Sequence, residues 1–241
     1  MSRIGKKPVK IEGGATVTAD GSAVTVNLQD SGSKKWADMW NQLNEPGLLD
    51  SVPGWTDQWF KALSDGSIAT LVTGAWMPGV FEASAPDGSG QWRVAPIPTY
   101  DGTPVTAENG GSSEVVTKQS KSPELAAAFL RWLNSDPASI KVFLASGGFP
   151  ATTADLSSSA FIDQESAYFG GQKINQVLVD ASKTVAPGWQ YMPWQSYANG
   201  IYGDTVGKSY LNHTDINEGL KAWQDENVTY GKDQGFTVKT N

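Results

Sequence analysis

The sequence predicts an α/β protein, and three observations carry that expectation. Short apolar runs of strand length, such as SIATLVTG at 67–74, alternate with segments whose large apolar residues recur at i, i+3, i+4 and i+7. Proline, glycine and small polar residues stand where helices should start and stop. No internal repeat or low-complexity linker interrupts the alternation.

The elements follow in order. VTV, the turn residues DGS and a second VTV near the start read as a short hairpin. SKKWADMWNQL places Trp36, Met39, Trp40 and Leu43 on one helix face. TDQWFKALSDG is expected to continue with Trp55, Trp59 and Leu63 on a second face and to stop at Gly66. SIATLVTG suits a strand covered on both sides. QWRVAPIP and SSEVVTK read as further strands, the first at an edge because of its prolines. Ser122-Pro123 supplies an N-cap and a first-turn proline for PELAAAFLRWL, with Ala126, Phe129, Leu130 and Leu133 at helical spacing. Asp136-Pro137 repeats the device for SIKVFLASGG, which should end at Gly147-Gly148. The end of the chain is mostly helical, with Ile216, Leu220 and Trp223 on one side of a long segment.

The chain has 241 residues, enough for one large domain or two modest ones, with 39% hydrophobic and 18% charged residues. No stretch approaches the roughly 20 apolar residues of a membrane-spanning helix. Net charge is −7. Residues 1–27 carry four basic and two acidic side chains, a net of +2, which leaves −9 on the other 214. That balance argues against nucleic acid as a partner of 28–241. The chain has no cysteine, which removes disulfides, thiolate metal sites, a thiol nucleophile and a lipidation cysteine together. The basic start is followed by no apolar run of the kind an export signal needs.

Catalytic motifs are weak. His213, the only histidine, stands just before a helix and suits a surface or capping role. No G-x-S-x-G elbow exists, a zinc site would lack its usual ligands, and GDTVGKS at 203–209 is one residue too short for a phosphate loop. A pair of carboxylates for glycoside hydrolysis need only meet in space, so nothing in the sequence selects one. No catalytic residue, metal or cofactor is therefore expected.

The aromatic residues say more. Of ten tryptophans, several stand beside glycine or proline. TGAWMPG puts Trp76, followed by Met77, just after an apolar run, where open α/β folds bind ligands. An indole there can lie against the apolar face of a sugar, or simply plug the end of the sheet. AENGGSS at 107–113 offers Glu108 and Asn109 as acceptor and donor beside Gly110 and Gly111, which allow close backbone approach; a plain tight turn fits the composition equally. SGGFPAT at 146–152 suits a helix stop and loop. APGWQYMPWQSY at 186–197 holds Trp189, Tyr191 and Trp194 between prolines without one charge.

Two resemblances emerge. The first 26 residues, with their SRIGKKP start, TVT-x-DG turn and following VTV, resemble the amino terminus of bacterial ribosomal protein L6; a chance basic leader with a hairpin is the other reading. From about residue 24, the stretches VPGWTDQWFKALSDGSIATLVTGAWMPG, WRVAPIPTYDG, TAENGGSSEVVTKQSKSPELAAAFLRWLN and PGWQYMPWQSYANGIYGDTVGK resemble, in this order, the carboxyl-terminal part of bacterial extracellular solute-binding proteins of family 1. These are the sugar-binding components of ABC importers.

That likeness implies a periplasmic-binding-protein-like fold of type II, in which two α/β lobes joined by crossing strands close on a sugar. Residues 1–27 would be a separate leader, 28–105 and 150–241 mainly the carboxyl-terminal lobe, and 106–149 part of an incomplete amino-terminal lobe. Trp76, with Met77 beside it, would stack on sugar. Glu108, Asn109, Gly110 and Gly111 would lie at the crossing into the other lobe. Trp189, Tyr191 and Trp194 would line the cleft from its second side. The likeness further implies a sugar or oligosaccharide ligand, ABC permease subunits as partners, a monomer and an extracytoplasmic location. As written, without signal peptide or lipidation cysteine, the chain would stay cytoplasmic. It reads as truncated or fused, with a half-cleft that binds weakly. An rRNA-binding fragment and a glycoside hydrolase are the competing readings.

Overall fold

The computed structural model describes residues 14–17, 21, 23–44 and 48–240. The basic residues Arg3, Lys6, Lys7 and Lys10 of the leader, and Asp20 and Ser22 of the hairpin turn, lie outside them. In chain order the first elements are β1 (Gly14–Val17), β2 (Ala23–Asn27), α1 (Ser31–Leu43), α2 (Asp57–Asp65) and α3 (Met77–Ser84). Next come α4 (Pro123–Ser135), α5 (Pro137–Ala145), α6 (Thr153–Leu156), α7 (Ser159–Ile162) and α8 (Ile174–Ser182). The chain ends with α9 (Gln195–Gly200), α10 (Lys208–Leu211), α11 (Ile216–Asp233) and β3 (Thr237–Lys239). It divides into two compact units, one of residues 1–51 with 186–241 and the other of residues 52–185.

In the first unit β1 and β2 form the expected antiparallel hairpin, with Val17 opposite Val24 and Gly14 opposite Asn27. β3 adds to the other side of β2 in parallel, Val24 facing Val238. The leader's second strand is thus paired with the chain's last strand, so this hairpin is built into the unit. Val24 and Val26 alternate inward and are buried with Leu28 against Met192, Trp194 and Ala198.

A second cluster lies where α1 packs on α11, around Ala37, Val206, Ile216 and Leu220. The contact face of α1 is turned from the expected one. Ser33 and Ala37 are buried, Trp36 and Trp40 half-buried, and Leu43 is exposed, because small side chains let the helices approach closely while the indoles wrap around the seam. α11 has its expected apolar face, with Ile216 and Leu220 buried. The GDTVGKS segment is helical: residues 203–207 form one π turn between α9 and α10, closed by the Gly207 amide donating to the Tyr202 carbonyl at 2.9 Å. It is no phosphate loop.

Asp215 caps α11. Its carboxylate accepts from the Asn217 amide at 2.9 Å and from the Asn41 side chain at 2.7 Å, and these bonds hold its pKa below the ordinary aspartate value. A depressed pKa contributes stability above the ordinary value that is lost as pH falls through the lower folded value. Replacing Asp215 with alanine is expected to cost about 1 kcal/mol at neutral pH. In urea unfolding followed across pH, the gap between variant and wild type should shrink as the acid range is entered. His213 stands two residues before this cap at φ 52°, its Nδ1 2.9 Å from the Asn44 carbonyl at the end of α1, while the cap of α11 itself is Asp215.

In the second unit, Leu63, Met77, Phe81, Ala85, Tyr168 and Phe169 form the core. Helix ends are where the sequence places them: Gly66 ends α2 at φ 82°, the Asp136 carboxylate accepts from the Ala138 amide at 2.9 Å to start α5, and Gly147 follows α5 at φ 81°. Ser122 precedes α4 but makes no side-chain cap bond. α4 buries none of its residues fully; Leu125, Phe129 and Trp132 are exposed.

The strands expected at 67–74, 91–98 and 112–118 enter no ladder among the described residues. An apolar run signals an extended segment, but a strand needs a neighbour to pair with. Only part of that need is met here. The Gln172 side chain bonds both backbone groups of Val94, accepting from its amide at 2.8 Å and donating to its carbonyl at 2.7 Å, as a neighbouring strand would. Trp55 also departs from expectation. It precedes α2, whose N-cap is Thr56, and has φ 68°, a conformation that costs a bulky side chain on the order of 1–2 kcal/mol.

Candidate functional site

The candidate residues fall into two local groups, one in each unit. In the second unit the apolar run ends at Gly74, and the chain turns so that Trp76 becomes the N-cap of α3 without making a side-chain cap bond. Its ring is 37% exposed, and its Nε1 donates to the Asn109 carbonyl at 2.7 Å. That bond joins two segments that the sequence had singled out separately. The segment that carries Asn109 is anchored at Thr106, whose amide donates to the Thr184 carbonyl at 2.9 Å and whose hydroxyl donates to the Ala181 carbonyl at 3.0 Å.

Gly110 adopts φ 114°, and a Cβ there would come within 2.8 Å of Trp76 Nε1 and 2.9 Å of Cδ1. Glycine is therefore required twice, by the backbone and by the ring. Gly111, at φ 90°, has nothing near its missing side chain. Gly111→Ala should cost only backbone strain, on the order of 1–3 kcal/mol. Gly110→Ala should cost more and also displace the indole. Parallel urea unfolding and acrylamide quenching of tryptophan fluorescence check both effects: only the 110 variant should expose Trp76.

Met77 is 1% exposed and packs among Leu63 and Phe81, so burial withdraws it from the ligand-binding set. The N-cap residue of a helix and the first residue after it can point in opposite senses, and here Trp76 faces out while Met77 faces in. Glu108 and Asn109 are exposed.

In the first unit Trp189 is half-buried and Tyr191 is 39% exposed, with their rings edge to face at 4.3 Å and 85°. Trp194 differs. It is 6% exposed, packs against Phe236 at 5.1 Å, and its Nε1 donates to Asn227 Oδ1 at 3.1 Å. Most of its ring is therefore packed in the core with its polar atom satisfied inside, and the remainder borders the depression that Tyr197 lines. The sequence reading passed over Tyr197, the last ring of APGWQYMPWQSY. It stacks on Tyr230 at 3.7 Å and 9°, and with Gln195, Gln234 and Phe236 both line a depression of about 420 Å³. Helical spacing from Trp194 could not reveal this, because the partner ring comes from α11.

The perturbed carboxylates, Asp65, Asp180 and Asp215, are all held low, by hydrogen bonds from Ser67, from Lys183 and Gln176, and from Asn217 and Asn41 respectively. A general acid at neutral pH needs the opposite shift. Among the described residues no group of acidic or histidine side chains could hold a metal ion, and no helix is long and apolar enough to cross a membrane.

The site is thus an exposed indole tethered to the glycine-bearing segment 107–111. The model of the family described as bacterial extracellular solute-binding protein matches residues 10–170, and the chain belongs to that family. The match begins within the leader and includes its hairpin.

Among solved structures, the chain is similar to the ABC transporter associated binding protein of Bifidobacterium animalis subsp. lactis Bl-04, in complex with β-1,6-galactobiose. That likeness has 41% identity and a TM-score of 0.85 over 95% of this chain and 58% of the other. The galacto-N-biose-/lacto-N-biose I-binding protein of the Bifidobacterium longum ABC transporter matches at 28% identity and TM-score 0.76, over 94% of this chain and 55% of that one. Among curated proteins, the arabinooligosaccharide-binding protein of Halalkalibacterium halodurans is 29% identical over 127 residues, 52% of this chain and 28% of that protein. Its Bacillus subtilis namesake is 26% identical over 154 residues, 61% and 36% of the two chains. The chain thus spans about a third of the curated relatives it matches and a little over half of the solved ones.

Proposed function

We propose that this chain binds a short oligosaccharide as the ligand-binding component of an ABC-type sugar importer, and performs no covalent chemistry on it. The observation that carries the reading is the Trp76 ring, exposed yet held in place by the Asn109 carbonyl and Gly110. A pre-set apolar plane suits the flat face of a pyranose, and the amide and carboxylate of Asn109 and Glu108 suit its hydroxyls. The solved relative at 41% identity, bound to β-1,6-galactobiose, supports a small galacto-oligosaccharide as ligand. Permease subunits are the partners this role requires, and it is exercised outside the cytoplasm.

The stretch matched here is expected to bind weakly when tested alone, with a Kd on the order of 1 mM, because full closure buries both faces of a ligand and excludes water. Calorimetric titration with β-1,6-galactobiose, lacto-N-biose and an arabino-oligosaccharide tests this. Galactobiose should bind ahead of the others, with quenching or enhancement of tryptophan fluorescence. No heat and no fluorescence change with any of them would overturn the reading, and release of a monosaccharide would favour a hydrolase.

A further inference from the structure

Trp55 is an exposed ring held in a costly conformation, and core packing does not account for it. It is 61% exposed. Its φ of 68° lies where L side chains rarely go, and the only other described non-glycine residue with positive φ, His213, is tied to the Asn44 carbonyl. The turn that sets this conformation is itself fixed: the Thr56 hydroxyl donates to the Pro53 carbonyl at 2.8 Å and accepts from the Trp59 amide at 3.2 Å. The result is that the Trp55 ring stacks on Trp76, with centroids 5.7 Å apart and planes 24° from parallel. Trp59, at 5.6 Å and 39°, and Phe60, at 6.2 Å and 76°, support it from α2.

The two restraints on Trp76 are complementary. Its hydrogen bond to Asn109 fixes where the pyrrole edge points, but an indole with one such bond can still tilt about it. A stacked ring removes that tilt. An outlier of backbone geometry beside a binding ring is where a functional cause is to be sought.

We propose that Trp55 is a positioning residue for sugar binding: it backs one face of Trp76 and holds the indole plane at the angle a pyranose needs, so the ligand is spared the ordering cost. The inference rests on the function proposed above. It makes Trp55 act through Trp76 rather than by touching the ligand.

The experiment is a double-mutant cycle on the full chain, titrated calorimetrically with β-1,6-galactobiose, with circular dichroism of the coupled indoles recorded in parallel. Trp55→Ala should weaken binding about 3- to 10-fold, the size expected from losing an aromatic pair. Trp55→Phe, which keeps a stacking plane, should bind close to wild type. Once Trp76 is replaced by alanine, adding Trp55→Ala should weaken binding no further, because the residue through which it acts is gone. The exciton contribution of the Trp55–Trp76 pair should be present in wild type and vanish in either single alanine variant, with that of Trp55 and Trp59 retained in Trp76→Ala.

Additive losses in the cycle, wild-type affinity in Trp55→Ala, or a Trp55→Phe variant as weak as the alanine would each overturn the positioning role while leaving the sugar reading intact. A wild-type chain that binds none of the sugars overturns both. Should Trp55→Ala unfold, Trp55→Phe and Trp55→Leu decide instead: the phenylalanine should bind as wild type and the leucine should not.

Discussion

Replacing Trp194 with alanine is expected to lower the stability of the protein by about 3–5 kcal/mol, the cost of truncating a buried aromatic ring. The ring packs on Phe236 and abuts Gly231, and Val238 of β3 belongs to the same cluster. Its removal opens a cavity where the three-stranded sheet meets α11. A second cost follows from its hydrogen bond. Asn227 is fully buried, and its Oδ1 accepts from Trp194 Nε1, so the alanine variant strips a partner from an interior acceptor. Leaving such a group unsatisfied costs about 1–3 kcal/mol. Trp194→Phe separates the two effects, because it keeps most of the ring and loses only the donor; it should destabilise by the smaller amount. Against a typical stability of roughly 5–15 kcal/mol, the alanine loss should be plain in urea unfolding followed by far-ultraviolet circular dichroism. A drop below about 1 kcal/mol, accompanied by weaker sugar binding, would return Trp194 to a ligand-facing role.

Trp76→Ala carries the largest expected effect on binding. A central tryptophan in a recognition site is typically worth about 2 kcal/mol, and its loss should weaken galactobiose binding roughly 30-fold. Stability should change much less, because the ring is partly exposed and most of the neighbouring core is made by Met77 and Phe81 behind it. Trp76→Phe should fall between the two: it retains an apolar face but cannot donate to the Asn109 carbonyl. Calorimetric titration beside thermal unfolding reads both quantities. A variant that melts far earlier yet binds as before would make Trp76 a plug over the core rather than a recognition surface.

Trp194 and Trp76 show why equal-looking signals diverge. Both are tryptophans beside proline- or glycine-bearing loops, and by that signal both suit a ligand-facing place. One has a buried amide oxygen as partner from α11; the other has a backbone carbonyl from an exposed loop. Neither partner is near in sequence. Trp55 was placed on a helix face by its spacing from Trp59, yet the helix begins after it and the positive φ turns its ring onto Trp76. Spacing alone assumes the helix it is meant to reveal.

What the sequence by itself determined is local: the hairpin of β1 and β2, the ends of α2 and α5 at Gly66, Asp136 and Gly147, the apolar side of α11, and the class of protein through its chain of distinctive segments. These depend on glycine's freedom at positive φ, on short-range cap bonds and on helical periodicity, all of which act within a few residues. Only the tertiary structure decided which apolar runs find a strand partner, which tryptophans are core and which are exposed. It also decided that β3 closes the sheet beside the leader's own strand. Those outcomes depend on neighbours more than thirty residues away, Asn109 for Trp76 and Asn227 for Trp194 among them. Burial and pairing are properties of contacts, and a side chain acquires them only when the distant segment that covers it has folded into place.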